Sequence, residues 1–229
     1  MMPTPTIPYA ELPLDAQLVH VLAAFLLLVA FAMLAQRRIL ALIHLFAWQG
    51  LVLTLSTATV AAVSGQHHLY YSAVLTMLLK VWILPHVLHR LVVRLHLLRE
   101  IEALINIPAT MLLGLVLVIF AFGLATPISA LASTVTKSLI GIALASVLLS
   151  FLMMITRRQA VTQVIGFLAM ENGLFFAATS TTYGMPMVVE LGVALDVLIG
   201  AAIMGIFFFH IREAFDSLDL THLEQLRER

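Results

Sequence analysis

Apolar runs of about twenty residues recur along almost the whole chain, and they decide what it can fold into. Each run is long enough, as an α-helix rising about 1.5 Å per residue, to cross a hydrocarbon layer about 30 Å thick. Inside such a layer every backbone N–H and C=O must be paired internally, which leaves helices or a closed barrel. A barrel needs alternating segments of about ten residues, and the sequence contains none. Composition agrees: 62% of the 229 residues are hydrophobic and 10% are charged, against about 25% charged in a soluble domain. Mean hydropathy is +1.08. The expected fold class is all-α, a polytopic transmembrane helix bundle in one integral membrane domain covering residues 1–229.

Seven spans fit, at about 17–35, 39–63, 69–89, 103–124, 137–156, 160–181 and 186–210. Lys and Arg give the orientation. Arg37 and Arg38 follow the first span, Arg90, Arg94 and Arg99 the third; Arg157 and Arg158 separate the fifth from the sixth; Arg212, Arg227 and Arg229 follow the seventh. With seven spans all of these fall on one side, and the other side keeps only Lys137. The expectation is an outer N-terminus and a cytoplasmic C-terminus, with residues 212–229 as a short cytoplasmic tail. The stretch MMPTPTIPYAELPLD has no basic n-region, so the first helix reads as an uncleaved anchor.

Three ionisable residues sit inside these runs: Glu171 in VTQVIGFLAMENGLFFAATS, Asp196 in MVVELGVALDVLIGAAIMGIFFF, and Lys80 in YYSAVLTMLLKVWILPHVL. A charge at bilayer depth costs at least about 2.5–3.5 kcal/mol, so such residues face protein or a hydrated cavity and mark functional sites by default. Glu171 and Asp196 fall at similar depth on consecutive antiparallel spans, and Gly192, Asp196 and Gly200 share one helix face. They read as proton-path groups; the competing reading is hydrogen-bonded structural acids. Lys80 reads as a proton-exchanging group or as the structural partner of a carboxylate. Glu190 is six residues from Asp196, on another face near the outer boundary, and reads as a solvated acid. Pro85 removes a backbone donor from the third span, which its neighbours must accommodate.

His86 and His89, with His44 on the second span, are secondary proton-relay candidates; the plainer reading is interfacial histidines at helix ends. They lack the accompanying ligands of a metal site. No catalytic triad, phosphate-binding glycine loop or haem-ligand pattern stands out. The chain has no cysteine, which excludes disulfides and thiolate ligation of an iron–sulfur cluster by its own residues. Its net charge of zero implies no nucleic-acid partner. Catalytic residues, metal ligands and cofactors are therefore expected to be none.

The stretches RRQAVTQVIGFLAMENGLFFAA, VVELGVALDVLIGAAIMGIFFFHIREAFDSLDLTHLEQLRER and LTMLLKVWILPHVL resemble hydrogenase-4 component E, the E-type membrane subunit of formate-hydrogenlyase-like group 4 nickel–iron hydrogenases. The last three spans, 155–211, also look like the K-type subunit of respiratory complex I and its relatives in multisubunit cation/proton antiporters. That family carries two intramembrane glutamates on successive helices. Glu171 in MENG matches the first and Asp196 in DVLIGAA the second, with Asp standing where the family has Glu and reaching one methylene less far.

The resemblance implies a non-catalytic membrane subunit of a multisubunit oxidoreductase in the plasma (inner) membrane of a bacterium or archaeon, beside quinone-channel-like and antiporter-like membrane subunits and peripheral nickel–iron and iron–sulfur subunits. Glu171, Asp196 and Lys80 would then serve proton or sodium translocation coupled to electron transfer. The alternatives are an assembly scaffold of that complex, a subunit of an antiporter-type complex, or a stand-alone small transporter, against which the lack of a visible internal repeat argues.

Overall fold

The computed structural model describes residues 14–65, 67–94, 101, 103–129, 134–182, 192, 198–200 and 202. Among these residues seven α-helices and one π-helical turn make up six long rods: α1 (Leu14–Ala35), α2 (Ile39–Ser64), α3 (His68–Thr76) continued through a π-turn (Met77–Ile83) into α4 (Leu84–Arg94), α5 (Ile107–Ser129), α6 (Thr134–Thr156) and α7 (Ala160–Thr182). All six rods are long and apolar enough to cross a membrane. The fold is thus a polytopic helical bundle. The seventh expected span falls almost wholly outside the described residues, as do Asp196, Glu190 and the tail from 212.

Helices form here because the backbone has no other partner, and the polar side chains in them obey the same rule. Thr54, Thr57, Ser150, Thr156, Thr179 and Ser180 each donate a hydroxyl to the carbonyl four residues back. That local bond removes the cost of burying the hydroxyl without help from a second helix. α2 ends at Gly65, whose φ of 67° places it in the left-handed region. α5 starts at Asn106, whose Oδ1 accepts from the Ala109 N–H at 3.1 Å as an N-cap.

Four helices make the centre: α2 packs on α1 and α7, and α6 on α7 and α1. α5 flanks α6 and α1, while the α3–α4 rod flanks α2. The α6–α7 contact is close because Gly173 offers no side chain; a Cβ there would come within 2.9 Å of Val147 Cγ2 and 3.1 Å of Val147 N.

Two of the expected spans shift most. The third span runs to Arg94 rather than 89, because Leu88, Leu91 and Val92 keep one face buried while polar residues occupy the other. The fourth begins at Ile107 rather than 103 and runs to Ser129. Ala103 instead forms an antiparallel bridge with Arg157, and Leu104 N–H donates to Thr156 O at 2.8 Å. Ile101 N–H donates to Arg37 O at 2.8 Å. Those bonds gather the α1–α2, α4–α5 and α6–α7 connections at one end of the bundle. Three of the arginine-bearing loops thus share one side.

Candidate functional site

The buried apolar residues divide into two clusters stacked along the bundle. One, at the arginine end, includes Leu34, Leu42, Phe46, Leu84, Leu88, Leu149, Leu152 and Leu168. The other includes Leu22, Leu26, Leu53, Val60, Leu69, Leu139 and Phe176. Between them, on four different elements, lie fully or almost fully buried polar side chains. These are Gln49 on α2, Lys80 on the π-turn, Ser146 on α6, and Glu171 and Asn172 on α7.

Lys80 organises the layer. Its Nζ forms a buried ion pair with Glu171 Oε2 and donates to Asn172 Oδ1 at 2.7 Å. It also lies 5.5 Å from the centroid of the Phe175 ring, within cation–π range. Asn172 Nδ2 in turn donates to Gln49 Oε1 at 3.1 Å. The chain Glu171–Lys80–Asn172–Gln49 therefore links three helical rods through side chains alone. Lys80 is 0% and Glu171 3% exposed, so neither charge has its hydration shell and each needs the other.

The local sequence explains how a lysine reaches this point. In a continuous α-helix the Pro85 ring would clash with the carbonyl four residues back, that of Val81. The rod avoids this by widening one turn: Leu84 N–H bonds to Leu79 O, five residues back, and Lys80 sits inside that turn. Gly50 on α2 lets the widened turn approach; a Cβ there would lie 3.0 Å from Lys80 Cβ and 3.2 Å from Lys80 O. Gly192 is placed similarly on the other side, where an added Cβ would meet Phe175 Cδ2 at 2.8 Å and Glu171 Oε1 at 3.6 Å.

Other polar atoms lie in and beside the layer. The hydroxyls of Ser56, Ser72, Thr76 and Ser146, and Gln49 Nε2, are buried with no hydrogen-bond partner among the described residues. Ser72 and Thr76 precede Lys80 by two and one turns along one rod. A buried polar atom without a partner loses roughly 1–3 kcal/mol, so this region is more polar than packing alone requires.

Of the sequence candidates, Glu171 and Lys80 come together directly. Asp196 and Glu190 lie outside the described residues. His44, His86 and His89 are exposed on α2 and α4, and His44 Nδ1 contacts Leu40 O at 2.7 Å. No hydrogen bond among the described residues joins the three histidines to one another or to Lys80. Among the described residues no group of three or more His, Cys, Asp or Glu could hold a metal ion.

Sequence reasoning missed Gln49, a lone amide in an apolar run that only its partner makes significant. It also took Arg157 for a topogenic anchor. The side chain is 2% exposed, and Nη2 donates to Leu34 O at 2.7 Å and Gln36 O at 2.9 Å. Burial pulls its pKa below the ordinary arginine value through desolvation.

Comparison with known proteins finds relatives of two kinds. Uncharacterized protein Rv0085 of Mycobacterium tuberculosis is 32% identical over 212 residues, covering 92% of this chain and 96% of that protein. Hydrogenase-4 component E of Escherichia coli K12 is 27% identical over 121 residues, 52% of this chain and 56% of that protein. The relationship to component E is therefore loose and spans about half of each chain. No family model and no solved structure matches the chain.

Proposed function

We propose a function for a chain that belongs to the family of the mycobacterial protein Rv0085. It is a non-catalytic membrane subunit of a hydrogenase-type complex. Within that assembly its buried polar layer takes part in moving protons, or sodium ions, in step with electron transfer by partner subunits. The loose similarity to hydrogenase-4 component E supports the first part. The observation that carries the second is the ion pair of Lys80 with Glu171, buried mid-rod between two apolar clusters. Membrane proteins rarely keep such charges unless they mark an ion pathway.

The arrangement suits a carboxylate whose charge changes. When Glu171 is ionised, Lys80 balances it. When Glu171 takes a proton, Lys80 still has Asn172 Oδ1 and the face of Phe175 to hold its ammonium in place. Neutralising Glu171 thus does not leave Lys80 without an acceptor. The hydroxyls of Ser72 and Thr76 lead from Lys80 toward the end of the bundle opposite the arginines. Asp196, two residues before the described segment 198–200, belongs to the same proposal as a second carboxylate, and so do partners of quinone-channel and antiporter type. The arginine-bearing end is the cytoplasmic one by the positive-inside rule.

The second reading is a scaffold in which the pair only locks three rods together. Glu171→Gln in the native complex separates the two. Retained assembly with coupled ion translocation lost supports the path. Loss of the assembled complex supports the scaffold, and unchanged translocation rules the path out.

A further inference from the structure

The rod α3–π–α4 carries one continuous exposed stripe: Tyr71, Val74, Leu78, Trp82, His86, His89, Arg90 and Val93, each three or four residues from another member. Its character changes abruptly along its length. From Tyr71 to Trp82 it is apolar; from His86 onward it is cationic or titratable, with only Val93 apolar. The opposite face of α4 stays apolar and buried through Leu84, Pro85, Leu88, Leu91 and Val92. The neighbouring α2 repeats the change one helix away: Trp48 is exposed, and His44, one turn nearer the arginine end, is exposed too. α2 and α4 pack against each other.

We infer that this face of α4 holds the headgroup of an anionic glycerophospholipid. The chemistry to be recognised is a phosphodiester with acyl chains. The phosphate would be met by Arg90 and by imidazole N–H donors of His86 and His89. The chains would run down the apolar part of the same stripe past Trp82. A guanidinium gives two parallel donors matched to phosphate oxygens, and basic surfaces between helices at the cytoplasmic side are known to select anionic lipids. Tryptophans one turn below the polar residues lie where amphipathic rings settle at a membrane boundary.

Two features favour a lipid over an acidic protein partner. The polar residues extend along the rod: His86 and Arg94 are separated by about 12 Å of helix axis, comparable to the headgroup zone together with the upper acyl boundary. A peripheral protein would cover only the outermost of these. Secondly, the apolar stripe continues the same face without interruption, as chains continue a headgroup.

The test uses the full chain purified in mild detergent and native mass spectrometry with dioleoylphosphatidylglycerol, dioleoylphosphatidylcholine and inorganic phosphate as probes. Wild type is expected to retain phosphatidylglycerol in preference to phosphatidylcholine, and inorganic phosphate at equal concentration is expected not to displace it. Arg90→Gln should weaken that retention about fivefold, the effect of one interfacial cation, and His86→Gln/Arg90→Gln further. Arg158→Gln, exposed at the same end on another loop, should leave it unchanged. Because the altered residues are exposed, size-exclusion profiles should match wild type. Equal retention of both lipids overturns the proposal. So does equal retention by the variants, displacement by inorganic phosphate, or loss of a co-purifying acidic subunit with lipid retention intact.

Discussion

At the scale of single residues, the two partners of the buried ion pair are not equivalent. Lys80 has three kinds of neighbour to satisfy its ammonium: Glu171, Asn172 and the Phe175 ring. Removing one partner of a buried pair commonly costs roughly 3–5 kcal/mol, because a charge stays behind uncompensated. Glu171→Gln leaves an amide oxygen in reach of a lysine that already has Asn172, so its loss should be well below that range. Lys80→Met leaves a carboxylate at depth without its ammonium and should fall within it. The double variant Lys80→Met/Glu171→Gln removes both charges and should recover most of the loss, as apolar replacements of buried ion pairs do. Thermal unfolding in detergent, followed by tryptophan fluorescence, orders the variants. Equal losses from the two single changes would contradict the asymmetry. The sequence made Glu171 and Lys80 visible because a charge inside an apolar run is conspicuous; it could not show Asn172 and Gln49 as their supports, since an amide costs far less to bury and stands out less.

At the scale of elements, the six rods were legible because an apolar run of span length has one outcome in a bilayer. The π-turn was not. Pro85 signals that hydrogen bonding must change nearby, but the same residue is compatible with a kink, a break or a widened turn. What selects the widened turn lies on another helix, where Gly50 leaves room for the Lys80 backbone. The start of α5 was missed for a related reason: the apolar residues 103–105 continue the hydropathy of the span, while the Asn106 cap marks the true beginning. Gly50 and Gly123 make the point testable with opposite signs. An added Cβ at Gly50 meets Lys80 Cβ at 3.0 Å and its carbonyl oxygen at 3.2 Å, whereas at Gly123 it meets nothing within 4 Å. Gly50→Ala should therefore destabilise, by about 1–3 kcal/mol for overpacking less the gain in helix propensity. Gly123→Ala should keep that gain, at most about 1 kcal/mol. Midpoints of thermal unfolding for the two variants should move in opposite directions from wild type, and Gly50→Ala should also alter the environment of the pair.

At the scale of the whole molecule, one arginine joins parts of the chain that no helix connects. The last carbonyls of α1 have no intrahelical donors, and Arg157, arriving from the α6–α7 connection, supplies one through Nη2 to Leu34 O and bonds Gln36 O just past the helix end. A cation at a helix C-terminus is also favoured by the helix dipole. Arg157 O accepts from Gln163 Nε2 at 2.8 Å, fixing the start of α7. The adjoining bonds from Leu104 to Thr156 and from Ile101 to Arg37 bring in the α4–α5 connection. Desolvation lowers the Arg157 pKa, yet a guanidinium stays charged at any pH the protein would meet, so the tie holds independently of pH. Its neighbour Arg158 is exposed, and the two look identical in the sequence; only the fold separates a topogenic charge from a buried cap. Arg157→Leu should lower stability by roughly 1.5–3 kcal/mol, the worth of a hydrogen bond to a charged group. Arg157→Lys should restore only part of it, since the shorter, flexible ammonium is not held in plane at the two carbonyls that Nη2 meets. Arg158→Gln should change little. Amide hydrogen exchange gives the finer reading. If Arg157 ties the three connections together, exchange at Ile101 and Leu104 should speed up in Arg157→Leu while exchange beside the Lys80–Glu171 pair stays slow. Equal acceleration at both places would mean that the end of the bundle and its polar layer unfold as one unit, and that no separate tie exists.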